Sequence, residues 1–286
     1  MIRKIAIFVL LASMMVGCDN ALKSNGNETI FVTITPLRML AEEITCGDFP
    51  VEVLVPEGAS PETYDPTARQ LTEAEDAQLL LSTGLIAFEQ NLVIRISNHQ
   101  NIVDLSEGIT LLRGSCTHNH CSHSHGIDPH IWTSPRALKR AVSTIHREVM
   151  ERYPDSTKYS DAAQLLIERI ETLDQECKQK ITEAGAKAIM IYHPAFTYYA
   201  NDYGINQIAI EQEGKEPTPR QLTTLVEQAR KNNIRNIFIQ PQYSIDKVKP
   251  LAEECDAEII ITDPLANDIL AEIERVTDII CGSYAE

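Results

Sequence analysis

From Ile30 onward, short runs of β-branched and apolar residues alternate with segments whose apolar positions recur every three or four residues. Residues 30–34 predict a strand, and Thr35-Pro36 opens a helix behind it. Residues 51–55 predict a second strand, followed by a loop and a helix over 69–77. Residues 79–81 and 102–103 are two further strands with a short helix between them. This βαβα alternation argues for a parallel sheet covered by helices.

A polar stretch from Cys116 to His125 interrupts the pattern. Ser134-Pro135 then opens a helix, with Ser as the cap and Pro in the first turn. A longer helix is predicted over 156–182, where Ala163, Leu166, Ile167, Ile170 and Leu173 recur at helical steps. The alternation resumes with strands at 188–192, 208–210, 237–239 and 259–261, and with helix starts at Thr218-Pro219 and Ser244. The fold class is therefore α/β: two βα lobes with small parallel sheets, 29–155 and 184–286, joined by one long helix, 156–183. No internal sequence repeat is visible.

The N-terminus reads differently. Arg3 and Lys4 precede an apolar run over residues 5–16, short of the roughly 20 residues that a membrane-spanning helix needs. A charged start, a short apolar run and a small residue before the break describe a secretory signal over 1–17. Met15-Val16-Gly17-Cys18 resembles the lipobox of bacterial lipoproteins, in which the Cys receives lipid; residues 18–28 then form a polar tether. The expected protein is exported and anchored to the cell envelope through Cys18, with a soluble body. A formal net charge of -16 argues against nucleic-acid binding, which uses basic patches. The seven cysteines leave an even number after Cys18, which permits disulfides in an exported chain. Cys255 and Cys281, flanking the last strand and helix, are the preferred pair; Cys46 and Cys177 read equally as paired or as thiols.

Potential metal ligands fall where strands end. Glu62 lies in the loop after the second strand, His193 follows the strand ending at Tyr192, and Asp263 follows the strand ending at Ile261. Open α/β sheets bind ligands beyond the carboxyl ends of their strands. His130 joins them from the loop before the Pro135 helix. Imidazole and carboxylate suit divalent first-row metals. His99 and His146 read as ordinary surface or helix residues.

Several segments resemble the zinc/manganese solute-binding proteins of ABC importers. They are Val55-Pro56-Glu57-Gly58-Ala59-Ser60-Pro61-Glu62-Thr63-Tyr64-Asp65-Pro66-Thr67, Asp128-Pro129-His130-Ile131-Trp132-Thr133-Ser134-Pro135 and Tyr192-His193-Pro194-Ala195-Phe196. Phe238-Ile239-Gln240-Pro241-Gln242-Tyr243-Ser244, Glu213-Gly214-Lys215-Glu216-Pro217-Thr218 and Thr262-Asp263-Pro264-Leu265 complete the set. The resemblance implies two Rossmann-like lobes on a rigid helix with the metal between them, and His130, His193 and Asp263 as ligands. The family usually has His where this chain has Glu62. A carboxylate there gives a two-His, two-carboxylate set, harder than a three-His set, so Mn(II) and Fe(II) stay open beside Zn(II).

Cys116, His118, His120, Cys121, His123 and His125 form an auxiliary loop whose composition suits loose binding of zinc, nickel or copper. Zinc members of the family often carry such a loop. The resemblance further implies a monomer that delivers zinc to a membrane permease driven by an ATPase, without catalysis. An exported zinc hydrolase is the alternative from another class, although no His-Glu-x-x-His or Gly-x-Ser-x-Gly pattern is present. A surface adhesin on the same fold is the third reading.

Overall fold

The computed structural model describes residues 28–96, 99–114, 126–212 and 214–284. The first sheet contains β1 (Ile30–Val32), β2 (Val51–Val53), β3 (Leu79–Ser82) and β4 (Ile102–Asp104), all parallel, in the order β2-β1-β3-β4. The second contains β5 (Ala188–Ile191), β6 (Asn206–Ala209), β7 (Asn236–Ile239) and β8 (Glu258–Ile261), also parallel, in the order β6-β5-β7-β8. The two lobes therefore repeat one topology, although no sequence repeat announces it. In each sheet the chain first steps to one side and then crosses to the other. This places a switch point between β1 and β3 and another between β5 and β7, where open sheets form their binding crevices.

The continuous apolar runs of β3 and β5 are buried on both faces, as parallel strands covered by helices must be. In β5, Ile189 and Ile191 face one core while Ala188 and Met190 face another. The first of these cores runs through both lobes, from Ile30 and Val32 of β1 to Ile273 and Ile280 near the C-terminus. Its middle is supplied by α5 (Thr157–Ala184), whose Ala163, Leu166, Ile170, Leu173, Cys177 and Ile181 are buried. These residues form one stripe because they recur at three- and four-residue intervals. Gly185 ends α5 in the left-handed region, φ 63°, which a residue without Cβ enters at least cost. The predicted helix over 156–182 thus lies within two residues of the observed one.

The remaining helices are α1 (Thr35–Ile44), α2 (Ala68–Glu75), α3 (Ala87–Arg95), α4 (Pro135–Arg152), α6 (Thr197–Tyr203), α7 (Pro219–Lys231), α8 (Lys249–Cys255) and α9 (Ile269–Gly282). The Ser134 hydroxyl caps α4 by accepting from the Ala137 amide, with Pro135 in the first turn. Thr218 and Gln221 form a reciprocal capping box on α7. Ser244 starts a short 3-10 turn, and α8 begins only at Lys249. Strand β6 starts two residues before the predicted 208–210, because Asn206 and Gln207 pair along β5 despite their polar side chains. Among the described residues no helix is long and apolar enough to cross a membrane.

The Cys255–Cys281 pairing is corrected. Both are free thiols, as are exposed Cys46 and buried Cys177. Cys255 packs with Leu222 and Ile259 on one face of the second sheet, whereas Cys281 packs with the core that holds α5 and α9 on the other. The two thiols thus belong to cores on opposite faces of the sheet.

Candidate metal centre

His193 leaves the carboxyl end of β5 at the switch point of the second sheet. Its backbone is held by one side chain from the end of β7: its amide donates to Gln240 Oε1 at 3.3 Å, and its carbonyl accepts from Gln240 Nε2 at 2.7 Å. His130 sits in the turn before α4, where Asp128 Oδ1 accepts from its backbone amide and lies 2.9 Å from its Nδ1. Glu62 lies on the loop after β2. Gln70 pins that loop's far end by donating to the Leu54 carbonyl, and Tyr64 packs edge-on against Phe88.

These three residues converge. Ligand atoms of Glu62, His130 and His193 all lie within 4.8 Å of one another. The two Nε2 atoms are 3.3 Å apart, and His193 Nε2 is 3.2 Å from Glu62 Oε1. A tetrahedral ion with bonds of roughly 2.0–2.1 Å separates its ligands by about 3.3 Å, so the spacing fits zinc. Both histidines are buried, while the Glu62 side chain is 40% exposed.

Carboxylates back both rings. Glu211, just past β6, lies 2.7 Å from His193 Nδ1, as Asp128 lies beside His130. Burial alone would depress the His193 value, but Glu211 and then Glu62 outweigh it and raise it to about 9. Burial would raise Glu62 and Asp128, but the neighbouring imidazoles hold both below the ordinary carboxylate range. A cavity of about 30 Å³ lies against the three donors and is also lined by Ser60, Gln242 and Tyr243. A wider acidic vestibule of about 590 Å³ reaches His130 and His193 past Asp128, Glu211 and Glu216.

The segment carrying His130 is fastened to the second lobe. Asp128 Oδ2 accepts from the Thr197 hydroxyl at 2.6 Å, Trp132 Nε1 donates to the Pro264 carbonyl at 2.8 Å, and the Thr133 hydroxyl donates to the Ala195 carbonyl at 2.9 Å. Asp263 is not brought into the three-residue group. Its Oδ1 accepts from the Leu265 amide at 3.0 Å, and it borders a separate cavity with Glu57, Gln242 and Asn267. Burial, with Glu272 and Glu57 nearby, raises its value. His146 on α4 meets the Ser160 hydroxyl of α5 at 3.0 Å, half-buried between the two helices and away from the three-residue group. Cys18 and the loop residues Cys116, His118, His120, Cys121, His123 and His125 lie outside the described residues. The sequence reading missed Glu211; the signal available was an acidic residue directly beyond a strand end, the same signal that marked Asp263.

The sequence profile of ZnuA, zinc-uptake complex component A, periplasmic, matches residues 30–275. The chain belongs to the ZnuA family. It is 25% identical over 282 residues to the high-affinity zinc uptake system protein ZnuA of Bacillus subtilis (strain 168), covering 91% of this chain and 88% of that protein. It is 26% identical over 275 residues to the zinc-binding lipoprotein AdcA of Streptococcus pneumoniae (strain ATCC BAA-255 / R6), covering 91% of this chain and 55% of AdcA. The chain thus spans about half the length of the first curated relatives it matches. A crystal structure of ZnuA superposes with a TM-score of 0.80 at 32% identity, over 90% of this chain and 98% of that one. A ZnuA deletion mutant with zinc bound gives 0.81 at 31% identity, over 91% and 99%. The family is described as a component of a zinc-uptake complex and not as a hydrolase.

Proposed function

We propose that this protein captures Zn(II) between its lobes and delivers it to the membrane permease of an ABC importer, whose ATPase drives transport. One observation carries the reading: two buried imidazoles and a carboxylate converge at tetrahedral spacing, each imidazole backed by a second carboxylate. The relatives described as zinc-binding and zinc-uptake proteins support the same cargo. In this reading Glu62, His130 and His193 hold the ion, and Asp263 turns in from its neighbouring cavity to complete the shell. The auxiliary His/Cys loop collects zinc loosely. The signal and Cys18 make the protein exported and lipid-anchored; in the same reading it is a monomer with the divisions 1–17, 18–28, 29–155, 156–183 and 184–286.

Mn(II) or Fe(II) is the second reading, favoured by the carboxylate at position 62. Competition calorimetry on the mature protein with Zn(II) and Mn(II) separates the two. Wild type is expected to prefer zinc, His193→Ala to lose tight binding, and Glu62→Ala to weaken zinc binding about tenfold or more. Tight manganese binding beside micromolar zinc would overturn the cargo assignment, and an unaffected His193→Ala would overturn the site.

A further inference from the structure

We infer that Glu211 is a positioning residue that aims His193 at the ion by fixing which ring nitrogen carries the proton. The inference rests on the zinc-capture reading and deepens it. Because the lobes share one strand order, the loops after β2 and β6 are topologically equivalent. Each sends a carboxylate to the same imidazole: Glu62 meets Nε2 at 3.2 Å, and Glu211 meets Nδ1 at 2.7 Å. Their settings differ. The Glu62 side chain is 40% exposed and the Glu211 side chain 4% exposed. Glu62 is placed to act as a donor to the ion, and Glu211 as a fixed wall behind the ring.

A carboxylate accepts hydrogen bonds and cannot donate them, so the Glu211 contact requires the proton on Nδ1. Nε2 meets the Glu62 carboxylate in the same way, so the metal-free ring carries a proton on each nitrogen; the ion displaces the one on Nε2, and Glu211 keeps the one on Nδ1 in place. The opposite tautomer would set a bare nitrogen against the Glu211 oxygen and a hydrogen in the ion's place. The Gln240 amide already pins the His193 backbone through both its N–H and its C=O. With backbone and ring both held, the imidazole has one setting, and it is the ligating one. Asp128 contacts His130 comparably but also bonds the His130 amide and the Thr197 hydroxyl, so its removal would disturb the turn as well. Glu211 meets the ring with its side chain and joins the Tyr192 carbonyl through its backbone amide, which a substitution retains.

The test compares Glu211→Ala with Glu211→Gln. Both remove the charge, but Gln keeps an oxygen that can accept from Nδ1–H. Zn(II) affinity is measured by chelator competition at one fixed pH, alongside the Co(II) absorption spectrum. Long-range ¹⁵N–¹H spectra of the metal-free proteins, in alkaline buffer where imidazoles are neutral, report the His193 tautomer. The expected result is that Glu211→Ala binds zinc roughly 10–100-fold more weakly than Glu211→Gln. The Gln variant should keep the wild-type Co(II) spectrum and the Nδ1–H pattern, and the Ala variant should lose both. Equal zinc affinities for the two variants, or an Nε2–H pattern for His193 in the wild-type protein, would overturn the assignment. The NMR arm needs no metal and, in wild type, no variant that folds. Weak zinc binding by wild type with an Nδ1–H His193 would therefore sink the cargo reading and leave the positioning role standing.

Discussion

Loading this site should expel a proton, and the size of the effect follows from His193. Two carboxylates raise its value from 6.5 to about 9, so in the metal-free protein at pH 7 the ring is almost entirely protonated. A metal ligand must be neutral, so zinc displaces that proton. The gap of about two pH units between 7 and 9 corresponds to roughly 2.7 kcal/mol, or about a hundredfold weaker apparent affinity at pH 7 than on the alkaline plateau. Glu62 and Asp128 are held low and are already ionised at pH 7, so they release nothing. Calorimetry in buffers of different ionisation enthalpy counts the protons directly. His193 should contribute about one at pH 7 and about half at pH 9. The same group makes the metal-free fold pH-dependent. Because the folded state holds the extra proton, its stabilisation is complete below about pH 6.5 and is lost as pH rises through about 9. A proton count near zero at pH 7, or one that does not fall between pH 7 and 9, would refute the reasoning.

Two further outcomes follow from the packing and from the displaced carboxylate. Leu166→Ala empties a fully buried position on α5 in the core that both lobes share, and should cost about 2–5 kcal/mol in denaturant unfolding. The transition should remain single, since no lobe keeps that core to itself. Asp263→Asn should weaken zinc binding while leaving the metal-free melting temperature unchanged or higher, because it removes a carboxylate whose charge is disfavoured by Glu57 and Glu272. Unchanged zinc affinity would exclude Asp263 from the shell.

The alternation of strands and helices was legible because each element buries a face of the right period. The strands that read as unbroken apolar runs, such as β3 and β5, are the ones covered on both sides. The shared strand order was not legible, since it depends on which strands neighbour one another and not on any strand's own residues. Glu62 and His193 were legible as residues beyond strand ends, His130 as a residue in the loop before a helix, and all three as parts of family segments. Their mutual approach was not, because it depends on Trp132, Thr133 and Asp128 tying the His130 turn to the opposite lobe. Where the Asp263 carboxylate rests was not legible either, since its local turn with Leu265 holds it beside a neighbouring cavity. Cys255 and Cys281 failed for a similar reason, since proximity along the chain says nothing about which face of a sheet each occupies.

Helix α5, 28 residues and so about 42 Å long, is buried along one stripe against helices of both lobes. A jaw that swung open by tens of degrees would have to tear that stripe out of a core it shares from end to end. Filling the site therefore changes the outline of the molecule little, and loading should be limited by encounter and dehydration of the ion, not by a slow closing step. For a transporter that must tell full from empty, the readable difference is correspondingly small. It would consist of the charge and order of the Glu62 loop at the mouth of the cleft, a local flag on an almost rigid body.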